Sequence, residues 1–370
     1  MEKPWCLDEY QKLFEAELAA ALAESTDEDA DVAEVTSNIR DNVLPNLADA
    51  FYDQLAKTSN HMLRKHRRSR RGFVRRNIRR WREGFDLLER LIVISEETGS
   101  AINNALRPKA VEENDARFES LISNHARAVQ VAREIQALMV AGFPDGALAR
   151  WRTLHEIAVV SYFISHAAKE VAERYILHDH VASYRRALNY MSHHERANLA
   201  SIEPKVIVAL RAAHDEVINT CGVSMKYDYG WAAPAFNKAR TTFADLEQET
   251  GLDHWRPRYK WSTINTHGAY RTPNSTLATS ESERPVLLVG ESNSGMTDPA
   301  HMTAISLNLA TLPVITLDPN LDRLTVAIVM QRLSDEIGEA FWRLDQSTYE
   351  QAQKPKNRWT RIKAYLRRGG

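Results

Sequence analysis

Cysteine is almost missing from this chain of 370 residues: Cys6 and Cys221 are its only two, far apart in sequence. That count excludes a secreted disulfide framework and any zinc site built on paired cysteines. The opening MEKPWCLDEYQ lacks the basic-then-apolar layout of a secretory signal. Long uncharged apolar runs are missing too. The nearest, ALARWRTLHEIAVVSYFI, carries Arg150, Arg152 and Glu156, so it reads as a buried helix of a cytoplasmic protein without a membrane span. No repeat of solenoid period occurs. ESNSG (291–295) after PVLLVG lacks the Gly-Lys-Ser/Thr ending of a phosphate loop and the Gly-x-Ser-x-Gly of a hydrolase elbow. The His-x-His of His178 and His180 and the adjacent His193 and His194 have no further ligand at fixed spacing, so neither metal nor cofactor is expected.

Acidic residues are missing from two stretches, and this is the most informative absence. Residues 64–82 hold eleven Lys or Arg and no acid, and residues 354–368 hold seven more. Removing those eighteen from the 48 basic residues leaves 30 against 49 acidic ones. The net charge of −1 thus conceals an acidic body with two basic segments, which is an argument about partners. Within the first segment Val74, Ile78, Trp81, Phe85, Leu88 and Ile92 recur at steps of four and three, the stripe of an amphipathic helix. Arg67, Arg68, Arg70, Arg71, Arg75, Arg76, Arg79, Arg80 and Arg82 cover the rest of it. Guanidinium pairs with phosphate bidentately, so these nine are candidate nucleic-acid contacts, RNA and DNA undistinguished. Trp81, Phe73 and His66 are placed to stack on bases. The alternatives are an acidic surface, on this chain or on a protein partner, and an anionic membrane surface.

The pattern predicts a mainly α protein: a multi-helix bundle with a small β-hairpin, preceded by a helical N-terminal lobe. The lobe spans 1–106, a linker 107–116, the bundle 117–352 and a basic tail 353–370. Helices are expected at 7–23, from about 41, and at 117–141, 145–169, 171–195, 203–220, 234–249, 256–267 and 319–350. Pro144, Asp145, Gly146 and Pro204 punctuate the junctions. PVLLVG (285–290) and LPVITLD (312–318) are β-branched runs read as the hairpin.

Candidate chemistry lies in the bundle. Arg152 and Glu156 sit one turn apart on one helix, and Thr263 and His267 one turn apart on another. A buried Arg–Glu pair needs partners for its remaining polar groups, which Tyr259, Thr263 and His267 can supply. One reading makes His267 the acid or base of an RNA-cleaving enzyme, with Arg152 holding phosphate and Glu156 orienting it. A resemblance to the metal-independent HEPN ribonucleases and toxins rests on Arg/His pairs with four to six residues between them. Arg150 with His155, Arg174 with His180 and Arg186 with His193 fit that spacing, but chance supplies about as many pairs. The bland reading is a satisfied polar network that fixes helix packing.

The run Arg152-Thr-Leu154-His-Glu156, followed by Arg174-Tyr175 and by Tyr259…Ser262-Thr263…His267-Gly, resembles a known family. It is the bacterial domain of unknown function numbered five thousand six hundred and seventy-seven, over residues of about 120–345. The family has no established activity, so the resemblance implies a helical fold and, by association, a bacterial stress or phage-defence component. In this chain Ser262 stands five residues before His267, whereas Thr263 has the family's spacing of four. The leading expectation is a nucleic-acid-binding protein; the alternatives are the nuclease and a non-enzymatic scaffold docking on an acidic partner.

Overall fold

In a computed structural model, the described residues are 39–353 without Ala239, 269–271, 273–275 and Glu283, together with Glu15, Ala19 and Ser37. The expected helix at 7–23, apart from Glu15 and Ala19, and the basic tail beyond Gln353 lie outside them. The chain divides into two units, Met1–Gly72 and Phe73–Gly370. In the first, a π-helical turn at Ile39–Val43 leads into α1 (Leu44–Glu112), whose later part belongs to the second. Every residue from His61 to Arg71 is exposed. This stretch is helical without being buried, consistent with the strong helix propensity of arginine, lysine and leucine.

The second unit is built from the rest of α1 and from α2 (Ala116–Ala141), α3 (Pro144–His166), α4 (Lys169–Met191) and α5 (Pro204–Cys221). Two short helices follow, α6 (Ala233–Phe236) and α7 (Phe243–Glu249), then α8 (Arg256–Thr263), α9 (Thr297–Ile315) and α10 (Leu321–Gln353). The single helix expected at 234–249 is therefore two, separated by Asn237 in the left-handed region. Local chemistry sets most junctions. Asp115 caps α2 by accepting from the backbone N–H groups of Arg117 and Phe118. Gly142, at φ 91°, closes the same helix in the left-handed conformation that a side chain disfavours. Proline at the first turn opens α3 and α5.

Helix α9 packs on α2, α3 and α10 and forms the centre of the core. Its buried residues, among them Met302, Leu307, Ala310 and Val314, surround it, as expected of a helix without a solvent face. No helix among the described residues is long and apolar enough to cross a membrane.

Three expectations change. The hairpin is absent: no strand occurs among the described residues, and 312–315 are the last turn of α9. Burial on all sides of α9 outweighs the local β preference of Val314 and Ile315. Pro285–Val289 runs without regular structure or strand pairing, and Leu287 and Val289 are exposed. The expected linker 107–116 is instead the end of α1 up to Glu112 and a short turn. The apolar stripe, finally, shifts at a kink. Trp81 has non-helical φ/ψ (−103°, 15°), which resets the phase of the helix. Trp81, Phe85, Leu88 and Ile92 are buried as expected, but Ile78 is exposed and Asn77 is buried in its place. Asn77 Nδ2 donates to the carbonyls of Met139 (2.9 Å) and Val140 (3.0 Å) in the last turn of α2.

Candidate functional site

Helix α3 carries Arg152, His155 and Glu156, and α8 carries Arg256, Tyr259 and Thr263; the two helices pack together. Four of these side chains form one cluster. Arg152 Nη1 donates to Thr263 Oγ1 at 2.9 Å, and its Nε lies 3.4 Å from Glu156 Oε1. The same carboxylate oxygen accepts a hydrogen bond from the Tyr259 hydroxyl. The guanidinium carbon stands 4.3 Å from the centre of the Tyr259 ring, in cation–π contact. Burial, reinforced by the hydrogen bond to Glu156, pushes the Tyr259 hydroxyl above its ordinary range, so it stays a donor. The Tyr229 hydroxyl is raised likewise, first by burial and then by the charge of Glu156.

Beside this cluster lies a second, in which His155 and Glu247 are buried and Arg256 is partly exposed. His155 Nε2 is 3.1 Å from Glu247 Oε1, and Arg256 pairs with the other Glu247 oxygen. Phe243, Tyr259 and Trp151 surround the imidazole. The Arg256 charge and these hydrogen bonds offset the cost of burying Glu247.

The structure thus brings together Arg152, Glu156, Tyr259 and Thr263 and leaves His267 apart. His267 is exposed beyond the end of α8, and among the described residues it has no hydrogen bond or ion pair with Arg152 or Glu156. Thr263, not Ser262, faces Arg152; Ser262 Oγ donates to the Tyr259 carbonyl. Arg174 is buried and donates to the carbonyls of Cys221, Gly230 and Trp231 and to Ser224 Oγ, clamping the turns after α5. Tyr175 packs edge-on against Trp231 and donates to Asn124. Among the described residues none of the three Arg/His spacings forms a hydrogen bond: Arg150 binds Glu134, Arg186 binds Asp179, and Arg174 is spent as described. Glu247 and Arg256 had no signal in the sequence, because their link to His155 spans distant segments. Among the described residues no group of His, Cys, Asp or Glu side chains gathers as metal ligands do.

The expected nucleic-acid contacts divide. Arg67, Arg68, Arg70 and Arg71 in the first unit are exposed, as are Arg75, Arg76, Arg79 and Arg82 in the second. Arg80 is not: its side chain is 9% exposed and binds both carboxylate oxygens of Glu281 and the Asn293 carbonyl. Trp81 is wholly buried and donates to the same carbonyl, so it is withdrawn from any base. The ESNSG segment is thus an anchor for the kink of α1. Ser292 and Ser294 hold it in turn by donating to the Ala278 carbonyl.

Fold and cluster together define a helical bundle with an arginine–carboxylate–tyrosine network between two of its helices. Residues 118–284 match the model of a family of unknown function, DUF5677, the family that the Arg152-to-His267 pattern resembles. The match runs from α2 past α8 and ends before α9. No curated protein and no solved structure matches the chain.

The network carries a stability prediction. Tyr259→Phe removes the donor to Glu156 while Arg152 remains. We expect a loss of about 1–2 kcal/mol in urea denaturation. An unchanged midpoint would show that Arg152 and water hold the carboxylate unaided.

Proposed function

We propose that this protein binds nucleic acid through the phosphate backbone, using the exposed cations of residues 64–82. One observation carries the reading. Arg67, Arg68, Arg75, Arg76 and Arg79 are exposed, and among the described residues no carboxylate lies within ion-pairing distance of them. Unneutralised guanidinium groups at this density repel one another, and phosphate oxygens relieve that repulsion with bidentate geometry. With Trp81 buried, phosphate contact outweighs base stacking, so binding is indifferent to sequence. Such binding suits a cytoplasmic stress or phage-defence component that must meet foreign nucleic acid of any sequence. The RNA-cleaving alternative draws no comparable support, because the imidazole it needs stands apart from Arg152 and Glu156.

The test is a gel shift with labelled single-stranded RNA and duplex DNA at two salt concentrations. The variant Arg75→Glu/Arg76→Glu/Arg79→Glu leaves Arg80 and its ion pair untouched. Wild type is expected to bind with a log–log salt slope of about −4 to −5 if five phosphates are neutralised. The triple variant should lose at least about tenfold in affinity at the lower salt. No shift of either probe at low salt would overturn the proposal and favour an acidic protein partner for the same cations.

A further inference from the structure

Between α1 and α2 lies a groove of about 350 Å³ that neither the polar cluster nor the basic segment explains. Its floor is the imidazole of His125, which is 4% exposed, and the backbone of Gly99. A side chain at Gly99 would put Cβ 2.3–2.4 Å from the ring, so glycine is what lets the imidazole reach the groove. Ile122 and Val129 give apolar walls, and at the rim Glu96 and Arg133 neutralise each other.

The hydrogen bonds beneath the ring fix its tautomer. His125 Nε2 lies 3.1 Å from Ser95 Oγ and 3.2 Å from Thr311 Oγ1, which are themselves 2.7 Å apart. The Thr311 hydroxyl proton goes to the Leu307 carbonyl at 2.8 Å. The Ser95 proton must then serve the contact to Thr311. Both contacts to the imidazole can carry a hydrogen only if Nε2 is the protonated nitrogen and its N–H is shared. Nδ1 is therefore left with a bare lone pair. Among the described residues it makes no hydrogen bond, and His125 is one of the residues that line the groove. Ser95 lies under the ring, away from the groove, so the pair is not a nucleophile with its base.

We propose that this groove binds a small uncharged molecule, apolar over most of its surface, that donates an N–H or O–H hydrogen bond to Nδ1 of His125. Size supports this, since the cavity falls at the lower end of the range for small-molecule sites. Charge supports it too, because the rim ions cancel and one imidazole cannot hold a metal by itself. Burial holds the His125 pKa down to about 4, so the acceptor persists throughout the neutral range.

The test uses the full chain with indole and phenol as probes, against 1-methylindole and anisole, which share their shapes without the donor. Binding is followed by ¹⁵N NMR of the histidine side chains and by titration. The free protein should show His125 protonated at Nε2. Indole or phenol should bind at about millimolar concentration and move the Nδ1 resonance. The methylated probes should bind about tenfold more weakly. Ala126→Trp, at an exposed wall residue, should block binding without disturbing the core. His125→Phe should bind all four probes alike. A proton on Nδ1, equal binding of indole and 1-methylindole to wild type, or no Nδ1 shift with either donor probe would each overturn the proposal.

Discussion

Trp81→Ala is expected to lower the stability of the second unit by about 3–5 kcal/mol, the cost of truncating a buried aromatic that the surroundings cannot refill. Three attachments disappear at once. The ring is wholly buried and stacks on Phe341 with centroids 5.5 Å apart. Its indole N–H donates to the Asn293 carbonyl at 2.9 Å, and the Arg80 guanidinium lies 4.5 Å above its face. Gly84 sits so close to Phe341 that a Cβ there would stand 2.5 Å from the ring, so the backbone cannot be moved inward to close the cavity by a bulkier neighbour. Trp81→Phe keeps an aromatic ring against Phe341 but loses the donor and the volume of the second ring, and should cost less than alanine, about 2–3 kcal/mol. Urea denaturation of both variants separates the packing from the hydrogen bond. An alanine variant within about 1 kcal/mol of wild type would mean that the kink of α1 is not held by this ring.

Acid should destabilise the protein as the pH falls from 6.5 to 4, by about 2–3 kcal/mol from His125 alone. Burial lowers the folded-state pKa of His125 from 6.5 to about 4. The unfolded chain therefore binds a proton that the folded chain refuses, and stability is lost as the pH falls from 6.5 towards 4. Above 6.5 the contribution is complete. Burial lowers His178 and His301 in the same direction and steepens the loss. Denaturation midpoints at a series of pH values, with His125→Phe as the comparison, test this. If the variant keeps the wild-type slope, His125 is protonated in the fold at a higher pH than its burial implies.

Those two predictions rest on features that the sequence revealed unequally. Helix junctions were legible at Pro144 and Pro204 because a proline acts through its nearest neighbours, whereas the Asp115 cap and the Gly142 terminus of α2 were not read from the sequence. The Arg152–Glu156 pair and its contact with Thr263 were legible because helical spacing put each residue on a face, with the other helix opposite. His267 obeys the same spacing but lies past Thr263, where α8 has ended, so periodicity carried the reading one turn too far. The hairpin failed for a different reason. Val314 and Ile315 prefer strands locally, whereas their conformation is decided by burial against α2, α3 and α10. Nor could spacing reveal which arginine would meet a distant carboxylate. Arg80 and Glu281 are 201 residues apart, and His155 and Glu247 are 92 apart.

The closure of α1 against α10 also has a consequence for how the chain is made. Glu83 and Arg343, which pair beside the Trp81–Phe341 stack, are 260 residues apart. On a ribosome adding about 5–20 residues per second, the partner surface emerges roughly 10–50 s after α1 has. During that interval Trp81, Phe85 and Leu88 have no completed core to enter. The nascent chain must shelter this apolar face by transient contacts or a chaperone until α10 arrives.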